Sequence, residues 1–277
     1  MGEKTIGIIS GFGELPRFVA EEARAKGYRV IIIALKPLAD ESLIEFADEF
    51  KAVNVARFGE LIRSLKRFHV AQAVMAGKVS KTMLYKGMGR ELIPDVKAVK
   101  LLLSLKDRKD DSILLAIAKE LENDGIKLLE TTRFTERLLT AEGVLSKRRP
   151  ARQEWKDIQF GFAIAKEIGR LDIGQTVVVK AQAVMAVEAI EGTDEAIKRG
   201  GGLAGEGAAV VKVSKPRQDM RFDVPTVGLE TISAMASVRA KAIGLEAGKT
   251  IIVDKDTFLK KADEAGITVV GIVQPSG

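Results

Sequence analysis

The chain has 277 residues, 46% of them hydrophobic and 30% charged, a balance that fits a folded globular protein and excludes wholesale disorder. There is no cysteine and a single histidine, His69, which excludes disulfides, thiol nucleophiles, zinc–thiolate sites and any site that needs two histidines. The net charge of +6 suits phosphates, nucleotides or acidic headgroups as well as a plain lysine-rich surface, and a metal here would have to sit on oxygen ligands.

The first half alternates strand and helix patterns. Thr5 to Ile9 is a short apolar run ended by glycines, Leu15 to Lys26 has helical periodicity and stops at Gly27, and Arg29 to Leu35 is a β-branched run closed by Lys36-Pro37. Ala52 to Val55 reads as a strand, Phe58 to Phe68 as an amphipathic helix with His69 at its end, and Ala71 to Ala76 as a strand. Helices are expected at Val96 to Ser104 and Asp111 to Glu122, and Thr131 to Gly143 continues helically after a short strand. Strand and helix alternating in this way predict βαβ units, and strands that are apolar throughout predict a parallel sheet covered on both faces.

Ser146 to Arg152 reads SKRRPAR, a polar, basic stretch with a proline, and it marks the expected boundary between residues 1–145 and 146–277. The second half opens with a helix from Glu154 to Gly169 that carries Trp155, Phe160 and Phe162 as core or interface residues. Strands at Thr176 to Lys180 and Ala183 to Ala189 precede a short helix, Glu195 to Arg199, and a glycine-rich stretch (Gly200, Gly201, Gly202, Gly205, Gly207). A strand at Ala209 to Val213, a helix from Thr231 to Ala242, a strand at Thr250 to Val253, a helix from Thr257 to Ala265 and a strand at Thr268 to Val273 complete it. The expected fold class is α/β in two domains: an N-terminal Rossmann-like parallel sheet and a smaller C-terminal α/β domain.

Several segments can carry chemistry. The loop Ser10 to Pro16 (SGFGELP) joins the first strand to the first helix, where open α/β sheets bind phosphates, although an ordinary tight turn has the same residues. It is neither G-x-G-x-x-G nor a P-loop, and no acidic residue closes the second strand, so nicotinamide dinucleotide binding is poorly supported. Gly77-Lys78-Val79-Ser80-Lys81 falls on the same carboxyl edge and offers lysines to phosphate charge. Asp107 to Asp111 (DRKDD) reads first as a helix cap and second as a metal site. Glu188 leaves an apolar strand and therefore requires a partner, a proton or a metal, and Thr193 or Asp194 is placed to cap the next helix. Residues 215–228 (KPRQDMRFDVPTVG) are the most informative. Asp219 and Asp223 could hold Mg2+ or orient water, and Lys215, Arg217 and Arg221 could clamp phosphate oxygens, the needs of phosphoryl transfer.

Taken in order, SGFGELP, GKVSK, LKDRKDD, GVLSKRRP, DIGQTVVVK, AVEAIEGTDEAIKRGG and VVKVSKPRQDMRFDVPTVGLETI resemble the LpxI-type UDP-2,3-diacylglucosamine pyrophosphatases of lipid A biosynthesis over nearly the whole chain. The family's first loop usually has three consecutive glycines, whereas Phe12 here separates Gly11 from Gly13. The resemblance implies an enzyme with a divalent cation, Mg2+ or Mn2+, whose water attacks the β-phosphorus and releases UMP and 2,3-diacylglucosamine 1-phosphate (lipid X). It also implies two domains that clamp the substrate and a homodimer. The sequence itself, with no signal-peptide pattern after Met1 and no apolar run near the roughly 20 residues a membrane span needs, points to a cytoplasmic protein, at most peripheral at the inner face of the cytoplasmic membrane. The family's essential aspartate matches Asp223, with Asp219 beside it as a second catalytic and metal-binding candidate. Lys215, Gln218 and Arg221 fall to the headgroup or phosphates, as do Gly192 and Thr193. Gly11, Gly13, Leu15, Gly77 and Lys78 fall to the nucleotide end. A non-catalytic binder of a UDP-sugar, or a hydrolase for another nucleotide diphosphate, fits the same residues. Nucleic-acid binding does not, because the basic residues are dispersed among acids and only 5% of residues are aromatic.

Overall fold

The computed structural model describes residues 4–79, 93–105, 110–216, 218–222 and 224–273. They divide into two compact units: one of Met1–Thr135 with Met220–Phe222, the other of Glu136–Asp219 with Asp223–Gly277.

In the first unit, β1 (Lys4–Ser10), β2 (Tyr28–Lys36), β3 (Glu49–Asn54), β4 (Gln72–Ala76) and β5 (Lys127–Leu128) form a parallel sheet in the order β3-β2-β1-β4-β5. Side chains alternate across a strand, so β1 and β2 send Ile9, Ile31 and Ile33 to one face and Ile6, Ile8 and Ile32 to the other. Leu61 and Leu65 of α2 (Phe58–Arg67), Leu101 of α3 (Val96–Ser104) and Leu121 of α4 (Asp110–Asn123) cover the first face. Val19, Ala20 and Ala23 of α1 (Leu15–Ala25) cover the second. Both faces are buried, which is why the strands read as unbroken apolar runs. Pro16 sits in the first turn of α1, where no N–H partner is needed. After α2 the exposed His69 turns left-handed (φ 56°), and Val70 N–H returns to Leu65 O at 3.0 Å, closing the helix as a C-cap. The strand order reverses between β1 and β4, which makes their carboxyl ends the switch point where such sheets bind ligands.

In the second unit, β6 (Gly143–Val144), β7 (Thr176–Lys180), β8 (Ala183–Val187), β9 (Ala209–Lys212), β11 (Ala242–Glu246) and β13 (Thr268–Ile272) form a mixed sheet in the order β6-β13-β11-β9-β7-β8. The central β9, β11 and β13 are parallel, and β7 runs against both its neighbours. The short strands β10 (Thr226–Val227) and β12 (Ile251–Ile252) pair separately. Ile158, Phe162 and Ala165 of α5 (Arg152–Arg170) pack on one face, with Trp155 and Phe160 half-buried beside them. The other face takes α6 (Thr193–Ala204), α7 (Leu229–Ser237) and α8 (Lys255–Glu264) through Ile197, Met235 and Phe258.

Four local expectations change. Thr131 to Gly143 is not a helix: it holds two 3-10 turns, Thr131–Phe134 and Glu136–Leu138, and the short strand β6. Its threonines bond to backbone, Thr135 Oγ1 to Thr131 O at 3.2 Å and Thr140 Oγ1 to Thr250 O at 2.9 Å, which competes with helical pairing. The helix expected to reach Ala242 ends at Ser237, because Arg239 turns left-handed (φ 54°), and Ala242–Glu246 becomes the buried strand β11. Gly200, Gly201 and Gly202 lie inside α6, not in a loop, and the helix begins at Thr193, not Glu195. A Cβ on Gly200 would stand 2.6 Å from Val178 and one on Gly201 2.2 Å from Val238, so glycine allows α6 its close seat.

Candidate functional site

Each sheet gathers polar groups at its carboxyl edge. In the first unit, the loop after β1 is laced to the loop after β4 by backbone. Gly11 N–H donates to Ala76 O, Phe12 N–H to Lys78 O and Lys78 N–H to Phe12 O, each at 2.8 Å. Phe12 and Lys78 thereby form an antiparallel bridge. A Cβ on Gly11 would lie 2.6 Å from Lys78 O, and one on Gly77, already at φ 90°, would lie 2.8 Å from the Gly11 carbonyl carbon. The two glycines are required by the loops' contact with each other. Gly13 (φ 100°) is open to solvent beside them, and Leu15 starts α1 half-buried. The structure therefore brings Gly11, Gly13, Leu15, Gly77 and Lys78 together on one edge; Ser80 and Lys81 lie outside the described residues.

Met220–Phe222 packs with this same unit. Met220 O accepts from Thr131 N–H at 3.2 Å, and the Thr131 hydroxyl bonds Met75 O at 2.7 Å beside the end of β4. Phe222 joins the core formed by α2 and α4. Arg221 meets Glu122 at the end of α4, Nη1 to Oε1 3.4 Å. Met220–Phe222 of the polar loop is thus an anchor of apolar, backbone and ion-pair contacts.

In the second unit, Thr176 at the start of β7 lies opposite Lys212 at the end of β9, and Val187 at the end of β8 lies opposite Val177. This registers Glu188, just past β8, with Lys212 on one edge. Lys212 is only 5% exposed, and its Nζ donates to Thr193 Oγ1 and to Thr226 O, both at 2.8 Å. The Thr193 hydroxyl donates in turn to Glu188 Oε1 at 2.9 Å, while Gln175 N–H reaches Glu188 Oε2 at 3.3 Å. The partner that buried Glu188 requires is therefore a hydroxyl and a backbone N–H, with the Lys212 ammonium one bond away to balance its charge. Gly192 (φ 86°) precedes Thr193 and caps α6 without a side chain. Asp194 instead accepts from Thr231 Oγ1 at 2.9 Å.

On the α5 side of the same edge, Lys166 Nζ bonds both oxygens of Glu246, at 3.0 and 2.9 Å, and Ser214 O at 2.8 Å. Ser214 N–H donates to Glu246 Oε2 at 2.7 Å. Burial by itself would raise the Glu246 carboxyl, but hydrogen bonds from Lys166, Lys249 and Ser214 N–H outweigh it and hold the group below the ordinary glutamate range. The next residue, Lys215, binds Asp172 Oδ1 at 2.6 Å, and its N–H donates to Gln218 Oε1 at 3.0 Å. Gln218 thus closes the turn with its side chain, and Asp219 follows it half-buried. Arg217, Asp223 and Asp107 lie outside the described residues, and among the described residues no three acidic or histidine side chains converge as a metal cluster.

Lys212, Lys166 and Glu246 are absent from the residues that the sequence singles out. A signal was available: Lys212 and Glu246 each end a buried apolar strand, AVVK and AIGLE, where a charge can only be kept by a partner.

A family model described as LpxI N-terminal domain matches residues 5–138, and one described as LpxI C-terminal domain matches residues 141–270. UDP-2,3-diacylglucosamine pyrophosphatase LpxI of Caulobacter vibrioides is 33% identical over 282 aligned positions, which cover 97% of this chain and 98% of that protein.

Proposed function

The chain belongs to the LpxI family, and from that premise we propose that it hydrolyses UDP-2,3-diacylglucosamine to UMP and 2,3-diacylglucosamine 1-phosphate. The observation that carries this reading is the match of both family domains, in order, with a relative of that activity along almost the full length of each chain. Water adds to the β-phosphorus, the bond to the bridging oxygen breaks, and UMP leaves with that oxygen. The proton of the attacking water passes to a carboxylate base, Asp223 with Asp219 assisting.

Asp223 and Asp219 are proposed as the catalytic carboxylates and as ligands of a divalent cation, Mg2+ or Mn2+. Asp219 supplies one half-buried carboxylate. A cation of this kind usually keeps several waters and binds through one or two carboxylates plus substrate phosphates, so it does not need a crowded acidic cage. When bound it would neutralise charge developing on the pyrophosphate. The lysine-bearing edge with Gly11, Gly13, Leu15, Gly77 and Lys78 suits the nucleotide end. Gly192, Thr193, Lys215, Gln218 and Arg221 are proposed contacts to the phosphates or sugar, and Arg221 would exchange Glu122 for phosphate to make its contact.

Hydrolysis in 18O-labelled water tests the site of attack. The label is expected in the phosphate of the lipid product, with UMP unlabelled, by mass spectrometry. Label in UMP would contradict attack at the β-phosphorus.

A further inference from the structure

We propose that Phe12 is the stacking platform for the nucleobase of the substrate, with Lys78 beside it for the adjoining phosphate; this rests on the nucleotide end occupying the carboxyl edge of the first sheet. Phe12 is 52% exposed, an unfavourable place for a phenyl ring unless something covers it. The ring cannot withdraw by moving the loop, because Phe12 is held to Lys78 by two 2.8 Å backbone bonds and the preceding Gly11 to Ala76 by a third. Partners in an antiparallel bridge project their side chains to the same side, so the ring of Phe12 and the chain of Lys78 stand next to each other.

Among the described residues, the loop leaves room beside the ring. Gly11 and Gly13 have no side chains, and among the described residues nothing lies within 4 Å of the position a Cβ on Gly13 would take. An accessible aromatic face paired with an exposed ammonium, at the switch point of a parallel sheet, matches a planar base joined to a phosphate. A phosphate alone would need the lysine without the ring, and an acyl chain would need the ring without the lysine. Stacking on an aromatic ring is tolerant of base identity, so this contact strengthens binding of the nucleotide without selecting uracil over other bases.

The test measures equilibrium binding of UMP and of ribose 5-phosphate to the full chain by titration calorimetry. Wild type, Phe12→Ala and Phe12→Tyr are compared. Phe12→Ala is expected to weaken UMP about tenfold, within the range for loss of one base–aromatic stack, and to leave ribose 5-phosphate unchanged. Phe12→Tyr keeps the platform and is expected within about twofold of wild type. In hydrolysis, Phe12→Ala should raise KM and spare kcat, because a contact made equally in ground and transition states contributes only to binding. Equal UMP affinity in wild type and Phe12→Ala overturns the proposal and leaves the hydrolase reading intact. Hydrolysis by wild type with no UMP binding at all overturns it together with the nucleotide's place at this edge.

Discussion

The Asp223→Ala variant is expected to fold and to lose UMP release by two to three orders of magnitude. Cation-assisted charge neutralisation at a pyrophosphate supplies several kcal/mol of transition-state stabilisation, and about 1.4 kcal/mol corresponds to a tenfold change in rate. Removing a carboxylate that holds the cation or orients the water forfeits most of that. Folding should survive, because the chain on either side is held by backbone. Upstream, Met220 O accepts from Thr131 N–H at 3.2 Å; downstream, Pro225 O accepts from Ile251 N–H at 2.8 Å and Val227 O from Val253 N–H at 2.9 Å. Lys212 Nζ adds its bond to Thr226 O at 2.8 Å. Turnover of the purified variant within about tenfold of wild type would remove Asp223 from this role, and Asp219 would then carry it.

Glu246→Ala is expected to cost about 3 to 5 kcal/mol of folding stability, measured by urea denaturation, because breaking a buried pair leaves a charge behind. Glu246 is 3% exposed and accepts from Lys166, Lys249 and Ser214 N–H. Its removal strands the Lys166 ammonium with Ser214 O and leaves a buried N–H unpaired. Because the folded-state carboxyl lies below its ordinary value, the pair's contribution is complete above the unfolded value of about 4.3. It is lost as pH falls through the lower folded value. Acid should therefore destabilise wild type more steeply than Glu246→Ala. The double variant Lys166→Met, Glu246→Met should recover much of the loss. A Glu246→Ala change below about 1 kcal/mol would show that solvent reaches the pair and that the edge is not built on it.

The parallel sheet of the first unit was legible because its strands carry two-sided burial in their composition: Ile31, Ile32 and Ile33 alternate faces, yet every face is core. Loops with glycine at Gly11 and Gly77 were legible as a shared edge because chain order fixes where βα loops emerge. Their reason was not: the glycines accommodate each other across strands that are more than sixty residues apart. The strand Ala242–Glu246 went unread, with only Ala242 assigned and that to the preceding helix, because five buried residues fit either period and only its place between β9 and β13 decides. The Lys212–Thr193–Glu188 chain was half visible, through Glu188 alone, because the pairing depends on β7 bringing the ends of β8 and β9 to one edge. Gln218 and Lys215 read as ligand contacts, while their bonds to each other and to Asp172 depend on a turn that composition does not encode.

The most direct measurement is UMP released from UDP-2,3-diacylglucosamine by the purified full chain, in Mg2+, in Mn2+ and in EDTA. Release with either cation that stops on chelation and returns when the metal is restored is the predicted result. A folded protein that releases no UMP with either cation, or that releases it at the same rate in EDTA, would contradict the account.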